Sequence, residues 1–342
     1  MPTKKKDVGE LLENFTFDPL PKGFVIAKPI QWGEYDEEET YALDKQGRLI
    51  KERKHNGWKL LPTKANNKWK IYTDGIRDVT AHLPQIVEEL NQLKVSNNSM
   101  LVGEGIADIK TSDNAKVGKI LNTKDINLAL QKQKEFGEMR LVIFNIAFGD
   151  GECLLQKPYS ELITAVQVLI GSKLKYVMPV EVLYTSLDEA KKMVLKEKME
   201  GLVLYNTEFR SSFRLDGGNP ERPDGCYKWK PMFEGDFFAR EWIPSEKDPK
   251  VLHEIVLLQI DPKTGKEVNW GKHGTFSKKD REEIHSLLLK KQPVVVQFEY
   301  ETRTENNKIT NKRFMGIRHD KKWQDCLIPL KIFPKNMKPL AR

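Results

Sequence analysis

The segment Glu52-Arg53-Lys54-His55-Asn56-Gly57-Trp58-Lys59 places a lysine just ahead of a glycine and a strand, and the fold is read outward from it. Gly57 lets the backbone turn tightly, which leaves Lys54 projecting into a pocket with Asn56 beside it. From Gly57 to Tyr72, GWKLLPTKANNKWKIY predicts two strands joined by a polar turn, and PQIVEELNQLK, opened by Pro84, predicts an amphipathic helix. Upstream, residues 1–50 predict a short helix over Val8–Phe15, extended segments around FVIAKPI and a Gly- and acid-rich turn at WGEYDEEE.

Downstream, the apolar runs SMLVGEGIA, MRLVIFNIAF, YVMPVEVLY, GLVLY and CYKWKP predict strands that alternate with helices near 123–136, 158–171 and 186–199. The last helix opens with Ser186-Leu187-Asp188-Glu189, a capping-box pattern. After Pro231 the texture changes to FFAREWI, HEIVLLQID, a turn at DPKTGKE, a helix at SKKDREEIHSLLLK, then QPVVVQFEYETR and NKRFMGIR. Several strands with one helix in a short span predict a small β-barrel of the oligonucleotide-binding (OB) type. The fold class is therefore α+β, with a larger domain over 1–235, an OB-fold domain with a basic tail over 236–342, and a hinge at Met232–Asp236.

Charge and cysteine usage narrow the function. Lys and Arg number 57 against 49 Asp and Glu, and this net charge of +8 suits a polyanionic partner. Cys153, Cys226 and Cys326 lie too far apart for a paired zinc spacing and are too few for a disulfide scaffold, which points to a reducing, cytoplasmic setting. No signal-peptide core follows the opening MPTKKK, and no apolar run is long enough to span a bilayer.

The chemistry lies in an ordered series of residues. After Lys54 come Glu104 in LVGEG, Phe144 in LVIFN, Glu200 in EGLVL, and Lys228 and Lys230 in YKWKP. Two glutamates inside otherwise apolar strands are costly to bury without partners. Lys228 and Lys230 alternate along a strand and so face the same side, where they repel unless an anion or solvent lies between them.

This set, in this order, resembles the covalent nucleotidyltransferase superfamily, and in particular compact ATP-dependent DNA ligases of phage or bacterial accessory type with no extra DNA-binding domain ahead of the catalytic core. The resemblance runs from about residue 49 to residue 322. It implies an ATP-grasp-like nucleotidyltransferase domain of antiparallel sheets and helices in which Lys54 becomes the lysyl adenylate. It also implies that Glu52, Lys59, Lys228 and Lys230 contact the nucleotide, with the last two on the α-phosphate. Phe144 is implied to stack on adenine, Glu104 to bind the ribose, and Glu200 with Glu104 to hold Mg²⁺ or Mn²⁺. TDGIRDVTAHLPQIVEEL is similar to the ligase segment that grips the nicked strand, and NKRFMGIRHDKKW to the last ligase motif, where Arg313, Arg318, Asp320 and Lys321 would meet the departing pyrophosphate.

Departures from the pattern accompany it. Asn56 replaces the usual Asp, Lys59 the usual Arg, and Asn145 an Asp after the aromatic. Asp74 stands near the place of a phosphate-binding arginine, so Arg77 becomes the substitute for DNA contact. A free lysine is almost wholly protonated at neutral pH, and Lys228, Lys230 and Mg²⁺ would make Lys54 less basic. The expected reaction has three steps: Lys54 takes AMP from ATP, AMP moves to the 5′-phosphate of a nick in duplex DNA, and the 3′-hydroxyl displaces AMP. The enzyme is expected to act as a monomer. An RNA ligase or an mRNA-capping guanylyltransferase would use the same lysyl chemistry, and a degenerate, non-catalytic nucleic-acid-binding core is the reading outside enzymology.

Overall fold

The computed structural model describes residues 15–31, 33–107, 114–303, 308–329 and 334. The expected helix over Val8–Phe15, apart from Phe15 itself, and the basic C-terminal tail lie outside the described residues. The chain packs as two compact units, Met1–Trp229 and Lys230–Arg342.

The first unit is built on two main sheets and a two-stranded one, Val25–Ile26 with Phe213–Arg214. The larger main sheet has six strands, running Lys68–Thr73, Trp58–Ala65, Ser99–Ile106, Arg140–Gly149 and Glu152–Cys153 in spatial order, with Val177–Pro179 added in parallel to Arg140–Gly149. The smaller has four, in the order Ile30–Gln31, Cys226–Trp229, Gly201–Asn206 and Leu49–Lys54. Pairing is antiparallel apart from Val177–Pro179 and the Ile30–Gln31 edge. The strand RLVIFNIAFG is buried along almost its whole length, as a strand covered on both faces must be. Helix Tyr159–Ile170 presents Tyr159, Leu162, Ile163, Val166 and Ile170 as its buried stripe, at helical spacing. The chain near Val182 ties the two main sheets together, since Arg53 N–H donates to Glu181 O and Leu183 N–H to Lys51 O.

Two local features differ from the sequence reading, and a third agrees with it. Residues 37–45 form a helix where a turn was expected. Asp36 caps it by accepting from the Glu38 and Glu39 amides, and Glu37, Glu38 and Glu39 fill its first turn, where carboxylates suit the helix dipole. A helix at Asn114–Leu121 precedes the expected one, which spans Ile126–Phe136. The helix Leu187–Lys196 carries the capping box between Ser186 and Glu189.

The second unit has a six-stranded sheet ordered Trp242–Pro244, Leu252–Ile260, Phe233–Ala239, Val294–Tyr300 and Arg313–Ile317, with Glu267–His273 paired to Leu252–Ile260. Its helix, Lys278–Leu289, is capped by Ser277 and buries Ile284 and Leu288 against Phe237, Ile255, Leu257, Val296 and Phe298. The expected closed barrel is not what the described residues form. The strand path ends at Arg313–Ile317, and Leu252–Ile260 is shared among three partners with shifts in register, so the sheet branches instead of returning to its first edge.

Candidate active site

A cavity of about 490 Å³ lies between the two main sheets of the first unit. The four-stranded sheet contributes Glu52, Lys54, Val203, Cys226 and Lys228, and the six-stranded sheet contributes Lys59, Val102, Glu104, Val142, Phe144 and Asn145. That volume suits a nucleotide-sized ligand.

Lys54 is the last residue of its strand and pairs with Gly201 across the sheet, which sets its side chain beside Glu200. Its Nζ donates to Glu200 Oε2 at 2.7 Å. The nearest charge to the lysine is therefore a carboxylate, whereas the sequence reading expected cations around it. Gly57 is needed for a different reason from the tight turn expected. Its φ is not in the left-handed region, but a Cβ there would stand 2.2 Å from the carbonyl oxygen of Gly105. This close approach lets the Gly57 N–H donate to Glu104 Oε1 at 3.0 Å. Burial pushes Glu104 up to about 7, with Lys54 and the Gly57 amide opposing and Glu200 adding to the rise.

Under the cavity, Glu52 is 2 % exposed and shares a short hydrogen bond of 2.5 Å with the Tyr159 hydroxyl, which also lies 2.8 Å from the Phe144 carbonyl oxygen. A tyrosine has one proton to give, so both bonds are satisfied when Glu52 is itself protonated and donates to Tyr159 while Tyr159 donates to Phe144 O. Burial pushes Glu52 up to about 8, outweighing the Tyr159 hydroxyl, which acts to lower it. Tyr205 stacks on Tyr159 with ring centroids 3.7 Å apart, and burial raises the Cys226 thiol as well. Burial, helped by Arg53 and Lys54, lowers His55 to about 4 and keeps its imidazole neutral at pH 7.

At the rim, Lys28 and Lys59 converge on one carboxylate. Lys28 Nζ lies 2.8 Å from Asp74 Oδ2 and Lys59 Nζ lies 3.6 Å from Asp74 Oδ1. Burial pulls Lys59 below its usual value. It pushes Asp74 up, but the two lysines outweigh it and leave Asp74 below the ordinary carboxylate value.

The structure thus brings together Glu52, Lys54, Lys59, Glu104, Phe144 and Lys228 around one cavity, with Glu200 bonded to Lys54. Asn56 is half-buried in the turn between the strands, and Asn145, in the place of the usual Asp, accepts from the Ile146 amide at 2.8 Å. Arg77 does not line the cavity. It is exposed and closes a turn in which Thr73 N–H donates to Arg77 O. Lys230 follows the strand, belongs to the second unit, and donates to Glu301 Oε2 at 2.9 Å. Also in the second unit, Arg318 forks onto Asp320 at 2.8 and 2.7 Å and reaches Asp236, which also accepts from Lys321. Arg313 pairs with the buried Glu299 at 2.9 Å.

Lys28, Tyr159 and Tyr205 were not singled out by sequence reasoning, and Cys226 was read only as one of three scattered cysteines. Tyr159 and Tyr205 read as ordinary apolar positions, and no local pattern ties Lys28 to Asp74. No group of three or more His, Cys, Asp or Glu side chains among the described residues could hold a metal unaided. Glu104 and Glu200, which sense each other's charge beside Lys54, fit a hard divalent cation that takes one or two carboxylates and completes its shell from water and phosphate.

Residues 34–216 match the family model described as ATP dependent DNA ligase domain, which is more than half of the chain. The chain belongs to the ATP-dependent DNA ligase family. Among ligase relatives, it is 28% identical over 136 residues to a DNA ligase of Methanocaldococcus jannaschii, a match covering 38% of this chain and 23% of that protein. It is 30% identical over 139 residues to DNA ligase B of Mycobacterium tuberculosis, covering 39% of this chain and 26% of that one. The match thus spans about a quarter of the length of these curated ligases. Among solved structures, a Lig E DNA ligase superposes with a TM-score of 0.57 at 15% identity, over 86% of this chain and 99% of that one, a likeness of fold. No helix among the described residues is long and apolar enough to cross a membrane.

Proposed function

We propose that this chain is an ATP-dependent DNA ligase that seals nicks in duplex DNA through an adenylate on Lys54. The observation that carries the reading is the placing of Lys54 on the wall of a nucleotide-sized cavity, with Glu200 at 2.7 Å and Lys59, Glu104, Phe144 and Lys228 around it. We assign adenylation to the first unit, Met1–Trp229, and an OB-type fold to the second, Lys230–Arg342.

In the first step the Lys54 amine attacks the α-phosphorus of ATP. A P–N bond forms, the bond to the β-phosphate oxygen breaks, and pyrophosphate leaves. Glu200 Oε2 is the nearest acceptor for the proton the ammonium must lose. Lys228 and Lys59 stand on the cavity wall where charge develops on phosphate oxygens. Phe144 offers a ring face for adenine, and the protonated Glu52 beneath offers a polar edge that carries no charge. Mg²⁺, held by Glu200 and Glu104 together with the phosphates, would supply charge neutralisation there.

In the second step the 5′-phosphate oxygen of a nick takes AMP from Lys54. In the third the 3′-hydroxyl attacks that phosphate and AMP leaves. The reaction asks mainly for positioning and neutralisation, and Arg313, Arg318, Asp320 and Lys321 are assigned to the pyrophosphate end of ATP, with Lys230 on the α-phosphate. Arg77, exposed beside the Thr73 turn, is assigned to the DNA backbone. The enzyme acts as a monomer in the cytoplasm on this reading.

The test is sealing of a 5′-phosphorylated nick in a DNA duplex and in an RNA duplex, with ATP or GTP and Mg²⁺. Joined DNA with ATP is the expected product. Sealing confined to RNA, or a lysyl adduct formed with GTP and not with ATP, would replace the reading with an RNA ligase or a guanylyltransferase.

A further inference from the structure

The departure at Asp74 has a counterpart in space. Asp74 sits at the cavity rim, and its amide donates to the Lys59 carbonyl oxygen at 3.2 Å, so the carboxylate is fixed to the strand that carries Lys59. Lys28 reaches the same carboxylate from a separate segment. Its backbone is pinned there, because the Ala27 amide donates to Ser212 O at 2.9 Å and the Lys28 amide to Glu221 O at 2.8 Å. Two ammonium groups therefore grip the two oxygens of one anion, and both lysines line the cavity.

One carboxylate leaves an excess of one positive charge in this triad. A phosphate presents oxygens at a comparable spacing, carries up to twice the charge, and accepts from both ammonium groups at once. We propose that Lys28 and Lys59 form a phosphate subsite of this cavity, that Lys28 supplies the cation there and Arg77 does not, and that Asp74 occupies the subsite as an internal stand-in which an arriving phosphate displaces. The proposal rests on the nucleotidyl-transfer reading of the same cavity. The phosphate belongs either to the nucleotide or to the 5′ end of the nicked strand.

The full chain is compared as wild type, Lys28→Met, Lys28→Arg and Asp74→Asn in three measurements. The first is the ATP concentration giving half-maximal lysyl adduct. The second is binding of nicked duplex with a 5′-phosphate against a 5′-hydroxyl. The third is the thermal shift produced by tripolyphosphate, which needs no catalysis. Lys28→Met is expected to weaken the ATP arm, or the preference for the 5′-phosphate, by about tenfold, and the arm that moves identifies the source of the phosphate. Lys28→Arg keeps most of the wild-type response. Asp74→Asn tightens the arm that Lys28→Met weakens, and enlarges the tripolyphosphate shift. The proposal is overturned if a folded Lys28→Met stays within twofold of wild type in all three, or if Asp74→Asn weakens phosphate binding. Should Lys28→Met fail to fold, the direction of the Asp74→Asn change decides. Wild type that forms no adduct at all would overturn the ligase reading, while the tripolyphosphate shift would still report on the lysine pair.

Discussion

The floor of the cavity, where Glu52, Tyr159, Tyr205 and Cys226 meet, keeps its polar groups buried and uncharged, whereas the rim at Lys28, Asp74 and Lys59 keeps its groups ionised and partly in water. Both are polar clusters beside one ligand-sized space. They differ in what compensates them. On the floor, burial drives a carboxyl to hold its proton, and one chain of hydrogen bonds runs from Glu52 through Tyr159 to the Phe144 carbonyl. At the rim, charges are balanced by opposite charges that a ligand can replace. The floor is thus suited to fix shape and recognise an uncharged ring, and the rim to exchange one anion for another.

The comparison predicts unequal costs in stability. Tyr159→Phe removes the hydroxyl that links the buried Glu52 carboxyl to the Phe144 carbonyl and should destabilise the fold by about 1–3 kcal/mol in urea denaturation. Lys28→Met, at a pair whose side chains are 37 % and 33 % exposed, should cost no more than about 1 kcal/mol. Equal losses would erase the distinction between floor and rim.

A smaller effect concerns pH. The Glu52 carboxyl has an ordinary value of 4.5 and is raised to about 8 in the folded chain. Between those values the folded state keeps a proton that the unfolded state releases, so this group makes stability fall as pH rises through the window. Glu52→Gln cannot ionise and should flatten the decline between about pH 5 and pH 8, as measured by melting in matched buffers. A slope unchanged by the substitution would mean that Glu52 is ionised on the floor.

Features set by local pattern were legible in the sequence. The strands around Lys54, the capping box at Ser186, and the costly placement of Glu104 within an apolar strand all follow from residues near in the chain. The order of Lys54, Glu104, Phe144, Glu200 and Lys228 carried the ligase resemblance, and the family match covers residues 34–216. The helix Glu37–Lys45 was open to reading as well, since Asp36 followed by three glutamates is a helix start, but so acidic and weakly apolar a stretch resembles a loop. The Lys28–Asp74 pair and the Glu52–Tyr159 bond join residues 46 and 107 positions apart, and no periodicity records such contacts. For the small barrel expected after Pro231, no closure is seen among the described residues, because strand count alone does not say whether a sheet returns to its first edge.

The central claim is that Lys54 carries the nucleotide. It is tested most directly by incubating the chain with labelled ATP and Mg²⁺, digesting it, and locating the label by peptide mapping, with Lys54→Ala in parallel. The account predicts a single acid-labile, base-stable AMP adduct on Lys54 and none in the variant. Label on another residue, or an undiminished adduct in Lys54→Ala, would contradict it.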